Sequence, residues 1–119
     1  MKFIVMSVAL SAVCSVPALA QTPQQVDQGK KLFDSKKCVT CHTVAGKGGT
    51  LTKQYPLDGV GAKLTAADTK KWLTATEEME AKLEKKPKVK MSSKKVPVTD
   101  TEVDALVAYM QSLKEPLKK

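Results

Sequence analysis

The chain has 119 residues and a formal net charge of +8 at neutral pH, from 20 lysines, no arginine and 12 acidic residues. Hydrophobic residues make up 42% of it but aromatic residues only 4%, so the large side chains that usually fill a core are scarce. This length allows one compact domain, and the single histidine, His42, excludes every site that needs two histidines from this chain.

Residues 1–20 have the pattern of a secretory signal peptide. Lys2 gives a positive start, residues 3–16 form an apolar stretch shorter than the ~20 residues of a membrane span, and a small-residue cleavage site precedes Gln21. We expect cleavage to leave residues 21–119 as one mature domain in the periplasm. An uncleaved N-terminal anchor is the alternative, which the polar residues after the cleavage site disfavour.

The first predicted helix covers about residues 24–36. Val26, Gly29 and Phe33 recur at i, i+3 and i+7, which places them on one helix face. Pro23 is well tolerated at a helix start. We therefore expect this face to pack against the rest of the domain.

The segment Cys38-Val39-Thr40-Cys41-His42 has the C-x-x-C-H pattern of covalent haem attachment. Two cysteines in an exported protein otherwise suggest a disulfide, and a zinc site would lack further ligands here. A thioredoxin-like dithiol needs a βαβ context that the flanking residues do not show. With this motif the chain resembles the class I c-type cytochromes.

The resemblance implies an all-α cytochrome c fold, with three to four helices around one covalently attached haem c and with the first and last helices crossing. In that family the two thiols form thioethers with the haem vinyl groups, and the next histidine coordinates the iron on the proximal side. The matching residues here are Cys38, Cys41 and His42. Two residues between the thiols let one short turn reach both vinyl groups.

Residues 43–64 are predicted to be irregular, because they are rich in glycine and contain Pro56. A stretch of this length is expected in a compact domain only where it wraps a ligand, here the haem. Family members often orient the proximal histidine with a proline carbonyl in a G-P-x-L element. Residues 61–64 read G-A-K-L and lack that proline, so the Ala62 carbonyl and Pro56 are the two candidates.

The middle helix is predicted for about residues 66–85, with a break near residues 74–76, where β-branched residues weaken it, and an end before Pro87. Its apolar residues recur at helical spacing: Trp72, Ala75, Met79 and Leu83. Its charged residues predict a solvated face with i, i+4 pairs: Glu77, Glu78, Glu80, Glu84, Lys82, Lys85 and Lys86.

Two side chains are candidate donors to a haem propionate, the hydroxyl of Tyr55 and the indole NH of Trp72. The polar tip of each side chain needs a partner when the ring is buried. For Trp72, ordinary core packing on the middle helix is an equal alternative.

The second iron ligand is expected to be a methionine sulfur, because His42 is the only histidine. Met79 and Met110 fall in predicted helices, where core packing explains them. Met91 lies in a helix-free stretch, residues 87–93, and the resemblance implies a loop that brings a thioether over the distal haem face. We assign Met91 as the distal ligand; a surface methionine in a lysine-rich loop is the alternative.

The last helix is predicted to run from a capping box at residues 99–102 to about Lys114. An apolar stripe marks its buried face: Val103, Leu106, Val107, Met110 and Leu113. In class I cytochromes a glycine of one terminal helix lets the other approach closely, and aromatic and leucine side chains fix the contact. The matching positions here are Gly29 and Phe33 against Leu106 and Tyr109.

Ligation by His42 and Met91 would leave the iron no open position, so the predicted function is reversible one-electron transfer. We expect a soluble periplasmic monohaem cytochrome c that carries electrons between a reductase and an oxidase or terminal reductase. It is expected to have no catalytic reaction of its own. The alternative is a haem sensor or peroxidase-like enzyme in which Met91 is displaced.

Lysines crowd the chain around Met91: Lys82, Lys85, Lys86, Lys88, Lys90, Lys94 and Lys95. Their positive field is expected to steer acidic-surfaced redox proteins toward the haem edge. Export and the absence of arginine disfavour nucleic acid as a partner. We expect a monomer without stable membrane insertion.

Overall fold

Five α-helices and three short strands build the domain in the residues that this computed structural model describes, 21–52, 55–116 and 118. The helices are α1 (Pro23–Ser35), α2 (Val60–Lys63), α3 (Ala66–Thr74), α4 (Thr76–Ala81) and α5 (Asp100–Ser112). The strands are β1 (His42–Val44), β2 (Lys47–Gly48) and β3 (Tyr55–Pro56), and 3₁₀ turns cover Cys38–Thr40 and Met91–Lys94. The predicted signal peptide, residues 1–20, lies outside the described residues.

The terminal helices α1 and α5 both begin at capping boxes, which satisfy their first backbone donors. Before α1, the Gln25 N–H donates to the Thr22 hydroxyl and the Thr22 N–H donates to the Gln25 side chain, at 3.2 and 3.1 Å. Thr99 and Glu102 make the same reciprocal pair at α5, at 3.3 and 2.9 Å. The predicted bounds of both helices are confirmed to within two residues.

The predicted contact between the first and last helices is confirmed. Gly29 of α1 packs directly on the backbone of α5, where a Cβ at this position would collide with the Ala105 carbonyl oxygen and lie 2.7 Å from Tyr109 Cβ. The Phe33 ring meets the Tyr109 ring edge to face, with centroids 5.6 Å apart. Leu106 lies in the same cluster and is 1% exposed. This helix pair forms the hydrophobic core.

Residues 43–64, predicted to be irregular, contain a small sheet with the strand order β2-β1-β3. β1 and β2 form a hairpin whose two loop residues, Ala45 and Gly46, have φ angles of 51° and 74°, as a type I′ turn requires. β3 lies parallel to β1, with Tyr55 opposite His42. Strands of two or three residues carry no usable alternation pattern, which is why the helix-only prediction missed them. The other regular elements of the described residues are helices and helical turns, as predicted.

The middle helix is broken as predicted but ends earlier than predicted. Ala75, with φ and ψ of −134° and 48°, separates α3 from α4. α4 ends at Ala81 rather than at residue 85. The Lys86 ammonium donates to the carbonyl oxygens of Glu80 and Ala81, at 3.3 and 2.8 Å. It thus satisfies carbonyl groups at the negative end of the helix, which need no further helical turn.

The connection between α4 and α5, residues 82–98, is called the lysine-rich segment below. Its regular structure is the turn Met91–Lys94. Four of its large apolar side chains are exposed: Leu83, Val89, Met91 and Val96. A fifth, Val98, is half-buried against the core. The segment therefore contributes little to the hydrophobic core. No helix among the described residues is long and apolar enough to cross a membrane.

Candidate haem site

The two cysteines lie on one tight turn directly after α1. Lys37, with a positive φ of 63°, turns the chain, and the Cys41 N–H donates to the Cys38 carbonyl oxygen at 3.2 Å. Both thiols are free and half-buried, and Cys38 packs against the hydrophobic core. Burial raises the pKa of the Cys38 thiol. The turn thus presents two neighbouring thiols rather than a disulfide.

His42 follows this turn and opens β1, half-buried between two aromatic rings. Its ring centroid lies 6.5 Å from that of Phe33 and 6.3 Å from that of Tyr55. Its Nδ1 lies 3.0 Å from the Tyr55 carbonyl oxygen. Because a carbonyl can only accept, Nδ1 carries a proton, and in the neutral ring Nε2 then keeps a lone pair. Burial lowers the pKa of His42 and outweighs the opposing effect of this hydrogen bond, which favours the neutral form that metals bind.

The sequence predicts the orienting carbonyl group at Ala62 or Pro56, and this prediction is wrong. The carbonyl belongs to Tyr55, the residue before Pro56. The parallel pairing of β1 with β3 places Tyr55 opposite His42, whereas Ala62 lies in α2. A proline favours extended backbone in the residue before it, so Pro56 indicates the conformation of Tyr55 but not its partner.

The two candidate propionate donors, Tyr55 and Trp72, are both half-buried. The Tyr55 hydroxyl accepts a hydrogen bond from the Val89 N–H at 3.4 Å, so this residue reaches both His42 and the lysine-rich segment. Trp72 lies in α3, where its carbonyl oxygen accepts from the Thr76 hydroxyl at 2.9 Å. The role of either side chain toward a propionate stays a prediction.

The three candidate methionines lie in different surroundings. Met110 is buried in the core cluster with Phe33 and Leu106, as predicted. Met79 is half-buried in α4. Met91 is 37% exposed and is the first residue of the turn Met91–Lys94. Of the three thioethers, only that of Met91 belongs to a segment outside the α-helices.

Glu80 is a site residue that the sequence did not reveal. The helical charge pattern predicts a solvated carboxylate, but Glu80 is 6% exposed. It accepts hydrogen bonds from the Ser92 N–H at 3.1 Å and from the Ser92 hydroxyl at 2.6 Å. The hydroxyl bond is the main reason that the pKa of Glu80 is lowered. By contrast, the predicted i, i+4 pairing on this helix is confirmed for Glu78 and Lys82, at 2.7 Å.

The lysine-rich segment surrounds Met91 with positive charge. All of its lysine side chains are exposed: Lys82, Lys85, Lys86, Lys88, Lys90, Lys94 and Lys95. Exposed Val89 and Val96 lie among them. Such a surface attracts negatively charged proteins at long range.

Comparison with known proteins places the chain in a family. The family model for cytochrome c matches residues 26–114, which include every candidate site residue. The chain belongs to the cytochrome c family. As a member of that family it carries covalently attached haem c.

This cytochrome is also similar to a Cbb3-type cytochrome c oxidase subunit CcoP from Helicobacter pylori (strain 52). The two are 32% identical over 96 residues, which cover 79% of this chain and 30% of the subunit. The chain therefore spans less than a third of that relative's length. No solved structure matches it significantly.

The residues of the C-x-x-C-H turn fit haem c in this cytochrome. Cys38 and Cys41 provide two free thiols on one turn, as two thioether bonds to one haem require. His42 provides a neutral imidazole whose Nε2 makes no competing hydrogen bond to a described residue. Fixing Nδ1 by a backbone carbonyl is the usual way that proteins orient a ligating histidine.

Proposed function

We propose that this cytochrome is a soluble periplasmic monohaem carrier of single electrons, with His42 and Met91 as the axial ligands of its iron. Cys38 and Cys41 hold the haem through thioethers. The hydrogen bond between His42 Nδ1 and the Tyr55 carbonyl oxygen, at 3.0 Å, carries the proposal, because it leaves Nε2 as the ligating atom of a neutral imidazole.

The side chains around the site have separate roles in this proposal. The bound haem supplies a reversible one-electron couple. The Tyr55 carbonyl fixes the orientation of His42 and makes it a stronger ligand. A thioether from Met91 raises the reduction potential relative to a site with two imidazoles. Protein ligands on both axial positions support electron transfer without a catalytic reaction.

We infer that the partners of this carrier are redox proteins with acidic surfaces. The exposed lysines around Met91 support this, since they favour fast, salt-sensitive encounters. The relative is named as a subunit of a Cbb3-type cytochrome c oxidase, which supports a respiratory oxidase as one such partner. The carrier is proposed to act as a monomer. Its contacts with partners are proposed to be small and transient, which suits turnover.

Two variants test the ligand assignment on haem-loaded protein. Intact mass and a pyridine haemochrome spectrum first measure the haem content, expected at one per chain of residues 21–119. Reduced wild type is then expected not to bind carbon monoxide at neutral pH. Met91→Ala is expected to lower the reduction potential and to create carbon monoxide binding, because it removes the axial thioether. Met79→Ala is the matched control and is expected to do neither.

Three results would each contradict a different part of the proposal: the haem attachment, the distal ligand or the carrier function. A mature protein with a free thiol pair and no bound haem would remove its basis. Loss of ligation in Met79→Ala but not in Met91→Ala would move the distal ligand to α4. Rapid stoichiometric carbon monoxide binding by wild type would favour the haem sensor or peroxidase-like alternative, in which Met91 is displaceable.

A further inference from the structure

Glu80 differs from the other acidic residues of α4. Glu77 and Glu78 are exposed, whereas Glu80 is 6% exposed. A carboxylate withdrawn from water is costly unless hydrogen bonds replace its hydration. Both of its oxygens have such partners: Oε1 accepts from the Ser92 N–H at 3.1 Å and Oε2 from the Ser92 hydroxyl at 2.6 Å. These bonds tie its burial to Ser92, in the lysine-rich segment.

The position of Ser92 gives this contact its importance. Ser92 is the second residue of the turn Met91–Lys94, and its N–H is one of the donors that a short helical turn leaves without an internal partner. Lys90, which precedes the turn, makes no side-chain capping bond. The Glu80 carboxylate takes the place of that cap from another helix, and so attaches the start of the turn to α4.

Apolar packing does little to hold Met91 in place. Its side chain is 37% exposed, and Val89 and Val96 on either side are exposed as well. Within the turn, the Ser93 hydroxyl donates to the Lys90 carbonyl oxygen at 2.6 Å. The nearest other polar contact that joins this part of the segment to the rest of the described domain is the Val89 N–H with the Tyr55 hydroxyl, a longer bond of 3.4 Å. The Ser92 contacts are shorter and involve a charged acceptor, which strengthens them.

We propose that Glu80 is a positioning residue for the distal side of the haem: by holding Ser92, it fixes the backbone from which the Met91 thioether reaches the iron. This inference rests on the proposed role of Met91. Glu80 acts through Ser92 and without touching the haem. Its effect is on how firmly the sulfur is held, and not on whether the haem is attached.

The test uses haem-loaded wild type and the variants Glu80→Ala, Glu80→Gln and Ser92→Ala. Glu77→Ala is the matched control, because Glu77 is an exposed residue of the same helix. The first readout is the sulfur-to-iron charge-transfer absorption band of the oxidised protein, followed through a urea series. The second is amide hydrogen exchange at Ser92, which reports the backbone without reference to the haem.

In Glu80→Ala we expect the band to disappear at a lower urea concentration than global unfolding, and Ser92 to exchange about tenfold faster or more. Ser92→Ala keeps the N–H contact and is expected to show a smaller shift in the same direction. Glu80→Gln keeps an acceptor oxygen and is expected to restore part of the loss. Glu77→Ala is expected to stay within about twofold of wild type in exchange.

The outcomes separate this inference from the proposed function. If Met91→Ala keeps the band, the ligand assignment fails, whatever Glu80 does. If Met91→Ala loses the band but Glu80→Ala matches Glu77→Ala in both readouts, the ligand assignment stands and the role of Glu80 is overturned. The same holds if Glu80→Ala lowers global stability and band loss together while Ser92 exchange is unchanged. Should Glu80→Ala yield no folded protein, Ser92→Ala and Glu80→Gln decide by the same two readouts.

Discussion

The helix pair α1 and α5 and the lysine-rich segment are held by different kinds of interaction. Between the helices the contact is apolar, with Leu106 1% exposed. In the lysine-rich segment Met91 and Val96 are 37% and 42% exposed. Its backbone is held by separate polar contacts: Val89 N–H to the Tyr55 hydroxyl, Ser92 to Glu80, and the Lys36 ammonium to the Pro97 carbonyl oxygen. The free energy of stabilisation from apolar burial increases with the area buried, whereas each polar contact contributes only a small net amount to stability.

Because of this difference, the interactions that stabilise the fold are not the ones that hold the segment containing Met91. Regions with few buried apolar contacts open locally at a lower free energy than the core. We therefore expect the lysine-rich segment to open while α1 and α5 stay packed. The proposed ligand Met91 lies in that segment, whereas His42 lies beside Phe33 of the core. With the proposed ligands, the fold would therefore hold the haem more firmly through His42 than through Met91.

The largest expected effect tests the two regions against each other. Leu106→Ala is expected to lower the free energy of unfolding by about 2–5 kcal/mol, because it leaves a cavity in the core. Val96→Ala, in the lysine-rich segment, is expected to change it by less than about 0.5 kcal/mol. Urea unfolding of the haem-loaded proteins measures both values. Equal losses would mean that the segment is packed as part of the core.

A smaller loss is expected from Gly29→Ala. Helix propensity favours alanine by about 1 kcal/mol. The added methyl group would meet the Ala105 carbonyl and lie 2.7 Å from Tyr109 Cβ, so the helices must move apart. Overpacking of this kind costs about 1–3 kcal/mol, and we expect it to outweigh the propensity gain.

The control for this substitution is Lys30→Ala, at an exposed position of the same helix. It tests helix propensity without the close approach and is expected to be near neutral in urea unfolding. If Gly29→Ala were as stable as wild type, the approach of α1 to α5 would not depend on the absence of a Cβ.

Much of the fold could be predicted from local signals. The capping boxes at Thr22 and Thr99 mark helix starts within the sequence itself, and apolar periodicity marks the buried faces. The end of α4 could not be predicted, because it depends on the Lys86 side chain reaching back to the helix. The sheet was missed because its pairing is set by a hairpin turn at Ala45 and Gly46 and not by strand patterns.

Local sequence signals likewise predict one part of the candidate site and not the other. Cys38, Cys41 and His42 are contiguous, so their spacing alone indicates the chemistry. The contacts that orient His42 and the turn beginning at Met91 come from residues distant in the sequence. The carbonyl that holds His42 comes from Tyr55, 13 residues on, and the carboxylate that holds Ser92 comes from Glu80, 12 residues back. An exposed helical glutamate and an inward one have the same local charge pattern, so only the fold distinguishes them.

The smallest expected effect concerns the link between the two regions. The Lys36 ammonium contacts the Glu102 carboxylate at 3.0 Å and the Pro97 carbonyl oxygen at 2.8 Å. The Thr99 N–H, and after it Lys36, lowers the pKa of Glu102. An unfolded glutamate titrates near pH ~4.3. This carboxylate therefore stabilises the folded state above that pH, and its contribution is lost as the pH falls through the lower folded pKa.

Glu102→Gln isolates the charge, because glutamine also completes a capping box, as Gln25 does in α1. We expect the variant to be slightly less stable than wild type at neutral pH, and the difference to shrink as the pH falls through the lowered folded pKa of Glu102. Urea unfolding over a pH series measures it, with Lys36→Met expected to remove part of the same pH dependence. A difference that does not change with pH would assign the whole contribution to the neutral capping bond. The charge of Glu102 would then do nothing to join the helix pair to the lysine-rich segment.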